Sequence, residues 1–183
     1  ALKSSLEEEG IRLIVQDARS DVDTQIQQVD ELIQQNVEAV FLCPAEWEKI
    51  TPALEALNDA GIPVINLDTE VKETDLVKAF IGSDNRNAGY VCGEDLVSRM
   101  PEGGRIIIIE NSGINSINER ITGFEEAILD GGFEVVCRID AGSVNIGDTL
   151  RTLLEEEQIN AVMCGNDVMA LQVLEVLEEA ADK

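Results

Sequence analysis

From Ala161 to Leu171 the chain reads Ala-Val-Met-Cys-Gly-Asn-Asp-Val-Met-Ala-Leu, a buried strand delivered into a helix through two polar residues. The apolar run 161–164 is too short for a helix and stops at Gly165, while Met169, Leu171, Val173, Leu174 and Leu177 recur at helical spacing. Asp167 reads as the N-cap. Asn166 reads as a side chain presented at the carboxyl end of a strand, which is where an open α/β sheet binds its ligands. Helix capping alone is the alternative for both residues. The rest of the chain repeats this unit.

Residues 1–9 read as a helix closed by Gly10, and Ile11–Val15 as a strand with the apolar content of a buried sheet. Ile26, Val29, Leu32 and Ile33 give one apolar helix face. Ala39–Cys43 is the next strand, stopped by Pro44; a helix over Trp47–Ala60 ends at Gly61, and Pro63 opens the strand Val64–Leu67. After the polar connection Lys72–Asp75 come a short strand Lys78–Ile81 and a helix that Gly82-Ser83-Asp84-Asn85 starts and that runs to about Met100. Beyond Pro101-Glu102-Gly103-Gly104 the alternation resumes: strand Arg105–Glu110, helix Ser116–Leu129, strand Phe133–Ile139, helix Asn145–Glu157, strand Ala161–Cys164. Strands separated by helices imply parallel pairing through right-handed crossovers. The Pro and paired Gly at 101–104 mark the best domain boundary and a candidate hinge. The expected architecture is therefore α/β, with two doubly wound parallel-sheet lobes over 1–102 and 103–183. The opening helix has no strand before it and the closing helix none after it. The sequence is accordingly expected to be a fragment, short of a first strand and of the end of the second lobe.

Composition removes several classes of function. With 37 acidic against 13 basic residues the net charge is −24, which would repel a nucleic-acid backbone or an anionic lipid surface. Nucleic acid is therefore not an expected partner, and no apolar run approaches the length of a membrane span. Histidine is absent, so Ser-His-Asp and Cys-His nucleophile systems and the commonest zinc sites are missing. Cys43, Cys92, Cys137 and Cys164 form no C-x-x-C pair and read as small hydrophobes, although spacing does not exclude a disulfide. The chain has no Walker-type loop, no G-x-G-x-x-G after a strand and no G-x-S-x-G, and no cofactor or metal is implied.

Polar residues do recur at the carboxyl ends of the strands. Asp68 follows Val64–Leu67, Asn111 and Ser112 follow Arg105–Glu110, and Asn166 follows Ala161–Cys164, while Arg120 lies in the first turns of the next helix. A carboxylate, a guanidinium and an amide in one cleft suit a polyhydroxylated ligand, whose hydroxyls both donate and accept. Asp68 reads equally as a turn residue at which alanine should be tolerated, and Arg120 as a surface partner of Glu119 or Glu126.

The segments Gly61-Ile-Pro-Val-Ile-Asn-Leu-Asp68, Phe80-Ile-Gly-Ser-Asp-Asn85 with Ala88-Gly89 and Gly93, Asn118-Glu-Arg-Ile-Thr-Gly-Phe124, and Gly165-Asn-Asp-Val-Met-Ala170 together resemble the ribose-type periplasmic sugar-binding proteins. Those proteins have the type I periplasmic-binding fold and are the solute receptors of ATP-driven importers. The resemblance implies two Rossmann-like lobes closing on a sugar or polyol, presentation to a membrane permease, no enzymatic step, and a periplasmic or extracellular location, with a lipid anchor as one option. The family's ligand carboxylate falls on Asp68, its ligand arginine on Arg120 and its second-lobe asparagine on Asn166. Thr69 stands where the ribose binders carry Arg, Cys43 where they carry Asn, and the aromatic expected near Asp140–Ser143 is missing. Trp47 is the only Trp and could supply stacking area, with a core or surface role as the alternative.

The effector domain of a LacI-type transcription regulator would share the fold and similar ligand positions. The segment Met100-Pro-Glu-Gly-Gly-Arg-Ile-Ile resembles the transport receptors instead, since the regulators usually carry Gly-His there. A nucleotide-binding α/β enzyme is disfavoured by the missing Gly-rich loops and histidine.

Overall fold

The computed structural model describes Leu6 and residues 8–181. Among these, six strands form two three-stranded sheets in which every pair is parallel. The first sheet runs β1 (Val40–Leu42), β2 (Val64–Leu67), β3 (Ala79–Ile81), with Val40 opposite Val64 and Ile65 opposite Ala79. Helices α1 (Val22–Gln34) and α2 (Thr51–Asp59) pack together, and Val29, Leu54 and Leu57 bury their apolar faces with Val40, Leu42 and Val64.

The second sheet has the order β5 (Phe133–Asp140), β4 (Gly104–Glu110), β6 (Ala161–Cys164). Ile106, Ile107, Ile108 and Ile109 are all fully buried on the central strand. Four consecutive β-branched residues are what a parallel strand covered on both faces requires. The cover includes α4 (Asn115–Ile128), α5 (Ile146–Glu156) and α6 (Asp167–Ala181). Ile117, Ile121, Phe124 and Ile128 recur at three- and four-residue spacing on α4 and join this core, as do Met169, Val173 and Val176 on α6.

Helix α3 (Asn85–Arg99) lies against α4 rather than against the first sheet. The two backbones approach closely because glycines face each other. A Cβ at Gly89 would stand 1.8 Å from the Arg120 carbonyl oxygen, and one at Gly123 would stand 1.9 Å from that of Arg86. Leu96 and Val97 complete the contact by packing on the second core. The helix that sequence position assigned to residues 1–102 thus shares its core with β4–β6, and Gly103 closes a turn from α3 into β4 with its N–H on the Met100 carbonyl.

Three local expectations change. Ile11–Val15 forms no strand; Ile11 is 51% and Val15 74% exposed. Apolar content does not make a strand without a neighbour to complete the hydrogen-bond ladder. The expected helix over Trp47–Ala60 begins at Thr51, with Pro52 in its first turn. The backbone at Trp47 is committed elsewhere, its N–H donating to Gly113 and its carbonyl accepting from Lys72. At the third, Asn166 rather than Asp167 caps α6: its Oδ1 accepts from the Met169 N–H at 2.9 Å, and Asp167 is the first helical residue. The helix expected over residues 1–9 falls mostly outside the described residues.

Candidate functional site

On the first-sheet side the site centres on one turn, held by a buried side chain. Asp68 follows β2 with φ of 64°, a left-handed conformation that Asp and Asn adopt more readily than other non-glycine residues. Asn66, fully buried, fixes that turn: its Nδ2 donates to the carbonyls of Leu42 at 3.2 Å and Thr69 at 2.8 Å, and its Oδ1 accepts from the Val71 N–H at 3.0 Å. Two of these bonds brace the turn, and the one to Leu42 ties it to the end of β1. Asp68 is left exposed at its apex. The positive φ also corrects the expectation that alanine would be tolerated there.

On the second-sheet side the strands again end in polar residues. Beyond β4, Asn111 Oδ1 accepts from the Gly113 N–H at 3.2 Å, and the Ser112 hydroxyl donates to Asp140 Oδ2 at 2.8 Å at the end of β5. Asn166 spends its Oδ1 on the α6 cap, which leaves its Nδ2 as the group available to a ligand. Arg120 projects from α4 and is half-buried; its Nε donates to Asn85 Oδ1 and its Nη1 to the Gly165 carbonyl, each at 2.9 Å. It pairs with neither Glu119 nor Glu126, because Arg86 takes both of those carboxylates.

The two sides also touch. The Thr69 and Ser116 hydroxyls share a buried hydrogen bond at 2.9 Å. Trp47 reaches across with its backbone N–H to the Gly113 carbonyl at 3.1 Å and its Nε1 to the Ser112 carbonyl at 3.3 Å. The indole is thus a bridge between the two sides.

Between these elements lies an open cleft of about 640 Å³, within the ~300–1,000 Å³ range of small-molecule sites. Cys43, Asp68, Thr69, Arg120 and Asn166, all five candidates from the sequence, line it. Thr69 differs from the others, since its hydroxyl is committed to Ser116 and the residue is buried. Cys43 is exposed as a residue, but desolvation of its thiol by the surrounding cleft raises the pKa, with the Asp68 charge adding to the effect. Lys49, at the rim, is paired with Glu46 at 2.7 Å, and that pairing holds its ammonium pKa above the ordinary value. Sequence reasoning missed Ser116, Glu46 and Lys49, which come from helix starts and a loop. Asp140 was within reach of the strand-end rule that found Asp68. Among the described residues no cluster of three or more His, Cys, Asp or Glu side chains is placed to hold a metal, and no helix is long and apolar enough to cross a membrane. The cleft offers a carboxylate, a guanidinium, an amide and hydroxyls, a set that fits a neutral ligand rich in hydroxyl groups.

The periplasmic binding protein domain family matches residues 1–183, and the chain belongs to that family. The ribose import binding protein of Bacillus subtilis (strain 168) is 30% identical over 188 residues, covering 98% of this chain and 61% of that protein. Among solved structures, the fructose-binding periplasmic domain of a hybrid two-component system superposes with a TM-score of 0.90 at 25% identity, covering 98% of this chain and 61% of that one. A solute-binding protein of an ABC transporter from Bacillus halodurans C-125, with bound myo-inositol, gives 0.85 at 27% identity, with 98% and 66% covered. The chain therefore spans about three fifths of the length of the ribose relative it matches. Each of these proteins is named for binding a solute rather than for a reaction.

Proposed function

We propose that this chain is the ligand-binding part of an extracytoplasmic receptor for a monosaccharide or related polyol, which closes its two sides on the ligand and delivers it to an ABC permease. The observation that carries this is the convergence on one cleft of Asp68 after β2, Asn166 after β6 and Arg120 from α4. Asp68 would accept from two ligand hydroxyls, the free guanidinium edge of Arg120 would donate to ring or hydroxyl oxygens, and Asn166 Nδ2 would donate from the opposite side. The names of the relatives, with ribose, fructose and myo-inositol among their ligands, support the same class. Thr69 and Cys43 make the corner next to Asp68 less polar than an Arg and Asn pair would, so ribose itself is not the ligand we favour. A periplasmic or extracellular location follows from the same reading.

The test is a thermal-shift screen of the protein against pentoses, hexoses, polyols and inositols, followed by calorimetry. A ligand at 100 times its dissociation constant adds about 2.7 kcal/mol to stability. Stabilisation by one or more of these compounds is expected. No response across the panel, with a response to nucleotides or amino acids instead, would overturn the reading.

A further inference from the structure

Arg120 is the cleft residue whose usefulness depends most on its orientation, since a guanidinium donates along fixed in-plane directions. Its plane is set from two points. Nε donates to Asn85 Oδ1 and Nη1 donates to the carbonyl of Gly165, each at 2.9 Å. The second contact ties Arg120 to the turn that carries Asn166, so the positions of two cleft donors are linked. The first contact is unlike an ordinary surface hydrogen bond. Asn85 is 8% exposed, and its Nδ2 donates to the Ser83 carbonyl at 3.1 Å. Asn85 therefore stands between the Gly82–Asp84 segment, through which the chain leaves β3, and the guanidinium. A neutral amide in this place orients the fork without neutralising it, whereas a carboxylate would compete for the charge with a ligand.

We infer that Asn85, which does not line the cleft, is the positioning residue for Arg120, fixing the edge that the guanidinium presents to the ligand. The inference rests on the reading of the cleft as a sugar or polyol site. It assigns part of the ligand affinity to a residue that touches no ligand, and it links the segment between the two cores to the binding fork.

The test has two arms. In the unliganded protein, the Arg120 Nε–H resonance, assigned by its loss in Arg120→Lys, should exchange slowly with water. Asn85→Ala should accelerate that exchange by roughly tenfold or more, while Asn85→Asp, which keeps the acceptor, should leave it slow. In the second arm, affinity for the sugar or polyol found by screening should fall by about tenfold in Asn85→Ala; Asn85→Asp, whose carboxylate competes with the ligand for the guanidinium, should lose affinity as well while keeping the Nε–H exchange slow. In an Arg120→Lys background the Asn85→Ala change should have little further effect, because the fork it orients is gone. Unchanged Nε–H exchange in Asn85→Ala, or equal losses of affinity in both backgrounds, would overturn the inference. If no sugar or polyol binds the unaltered protein, the reading of the cleft fails, and the exchange arm still decides whether Asn85 holds Arg120.

Discussion

The hydroxyls of Thr69 and Ser116 lie 2.9 Å apart and are both buried, one just after β2 of the first sheet and the other in the first turn of α4 on the second. Each satisfies the other, so removing one leaves a buried hydroxyl without its partner. Thr69→Val should cost about 1–3 kcal/mol in denaturant unfolding. The double variant Thr69→Val/Ser116→Ala should cost less than the sum of the two single changes, because no orphan remains. Additive losses would mean that the two hydroxyls do not depend on each other.

Asp68 combines an exposed carboxylate with a left-handed backbone, and the two properties are separable by substitution. Asn adopts positive φ readily and keeps the shape, so Asp68→Asn should fold as the unaltered protein does and lose the charged acceptor. With charge-assisted hydrogen bonds worth roughly 1.5–3 kcal/mol each, ligand affinity should fall ~10–100-fold or more. Asp68→Ala should lose the same affinity and also ~1 kcal/mol of stability to backbone strain. Calorimetry and thermal unfolding of the pair check both statements. An Asn variant that binds as before would remove Asp68 from the site.

The strand-helix alternation was readable because each parallel strand is a short apolar run ended by a polar residue, and β2, β4 and β6 fell within a residue of their expected bounds. The same rule reached Asp68, Asn111 and Asn166, since a strand end in this architecture points its polar residue into the crevice. Relations between distant segments could not be read in the same way. Nothing local in Trp47 signals that its N–H will meet Gly113, nothing in Asn66 signals that it will brace the turn after it, and Asn85 looked like one more residue in a helix start. Asp167 reads as the cap because it opens the helical pattern. The difference between Asn166 and Asp167 is a single residue of phase, which apolar spacing does not resolve.

Gly123 and Gly89 set the separation of α3 and α4, and α4 carries Arg120. A methyl group at Gly123 would stand 1.9 Å from the Arg86 carbonyl oxygen, a backbone atom that cannot swing aside. Gly123→Ala should therefore force the helices apart and destabilise by about 1–3 kcal/mol or more, even though alanine is the better helix former. Because the Arg120 guanidinium is tied across the same helix pair to Asn85, affinity should fall too. Unfolding curves and calorimetry on the variant measure the two effects. A stabilised Gly123→Ala protein would show that the close approach is absent in solution.

Cys43 gives a pH-dependent reporter of the cleft. Its thiol pKa is raised by burial and, next, by the negative charge of Asp68, so the reactive thiolate is scarcer than for a free cysteine at the same pH. Alkylation by iodoacetamide should be slower than that of free cysteine near neutrality and should keep rising with pH beyond the ordinary thiol range. Asp68→Asn removes the second cause and should speed the reaction at fixed pH, and a bound ligand should slow it by covering the thiol. Cys164, pushed up to about 11 by burial, should react more slowly than an ordinary thiol. At pH 8 that leaves a thiolate fraction of roughly one in a thousand. Peptide mass mapping after timed alkylation reads both sites. A Cys43 rate indifferent to Asp68→Asn would sever the electrostatic link between them.

The division of the chain between its two halves is the last expectation open to a direct test, because Pro101–Gly104 and Gly82–Asp84 make opposite assignments of α3. Packing favours the second: Leu96 and Val97 lie on the core of β4, and Gly89 and Gly93 receive the backbone of α4. A shorter chain beginning at residue 84 would retain α3 over α4, while one beginning at residue 103 would expose that face of α4, with Leu96 and Val97 gone from the core they cover. Full burial of a Leu or Val side chain is worth ~1.5–3 kcal/mol, and the half-buried Leu96 and Val97 each supply part of that, a sizeable share of the stability of so small a unit. The expected result is that 84–183 shows cooperative unfolding and protected amides on β4, whereas 103–183 shows neither. Equal behaviour of the two pieces would return the boundary to Pro101–Gly104 and make α3 part of the first half.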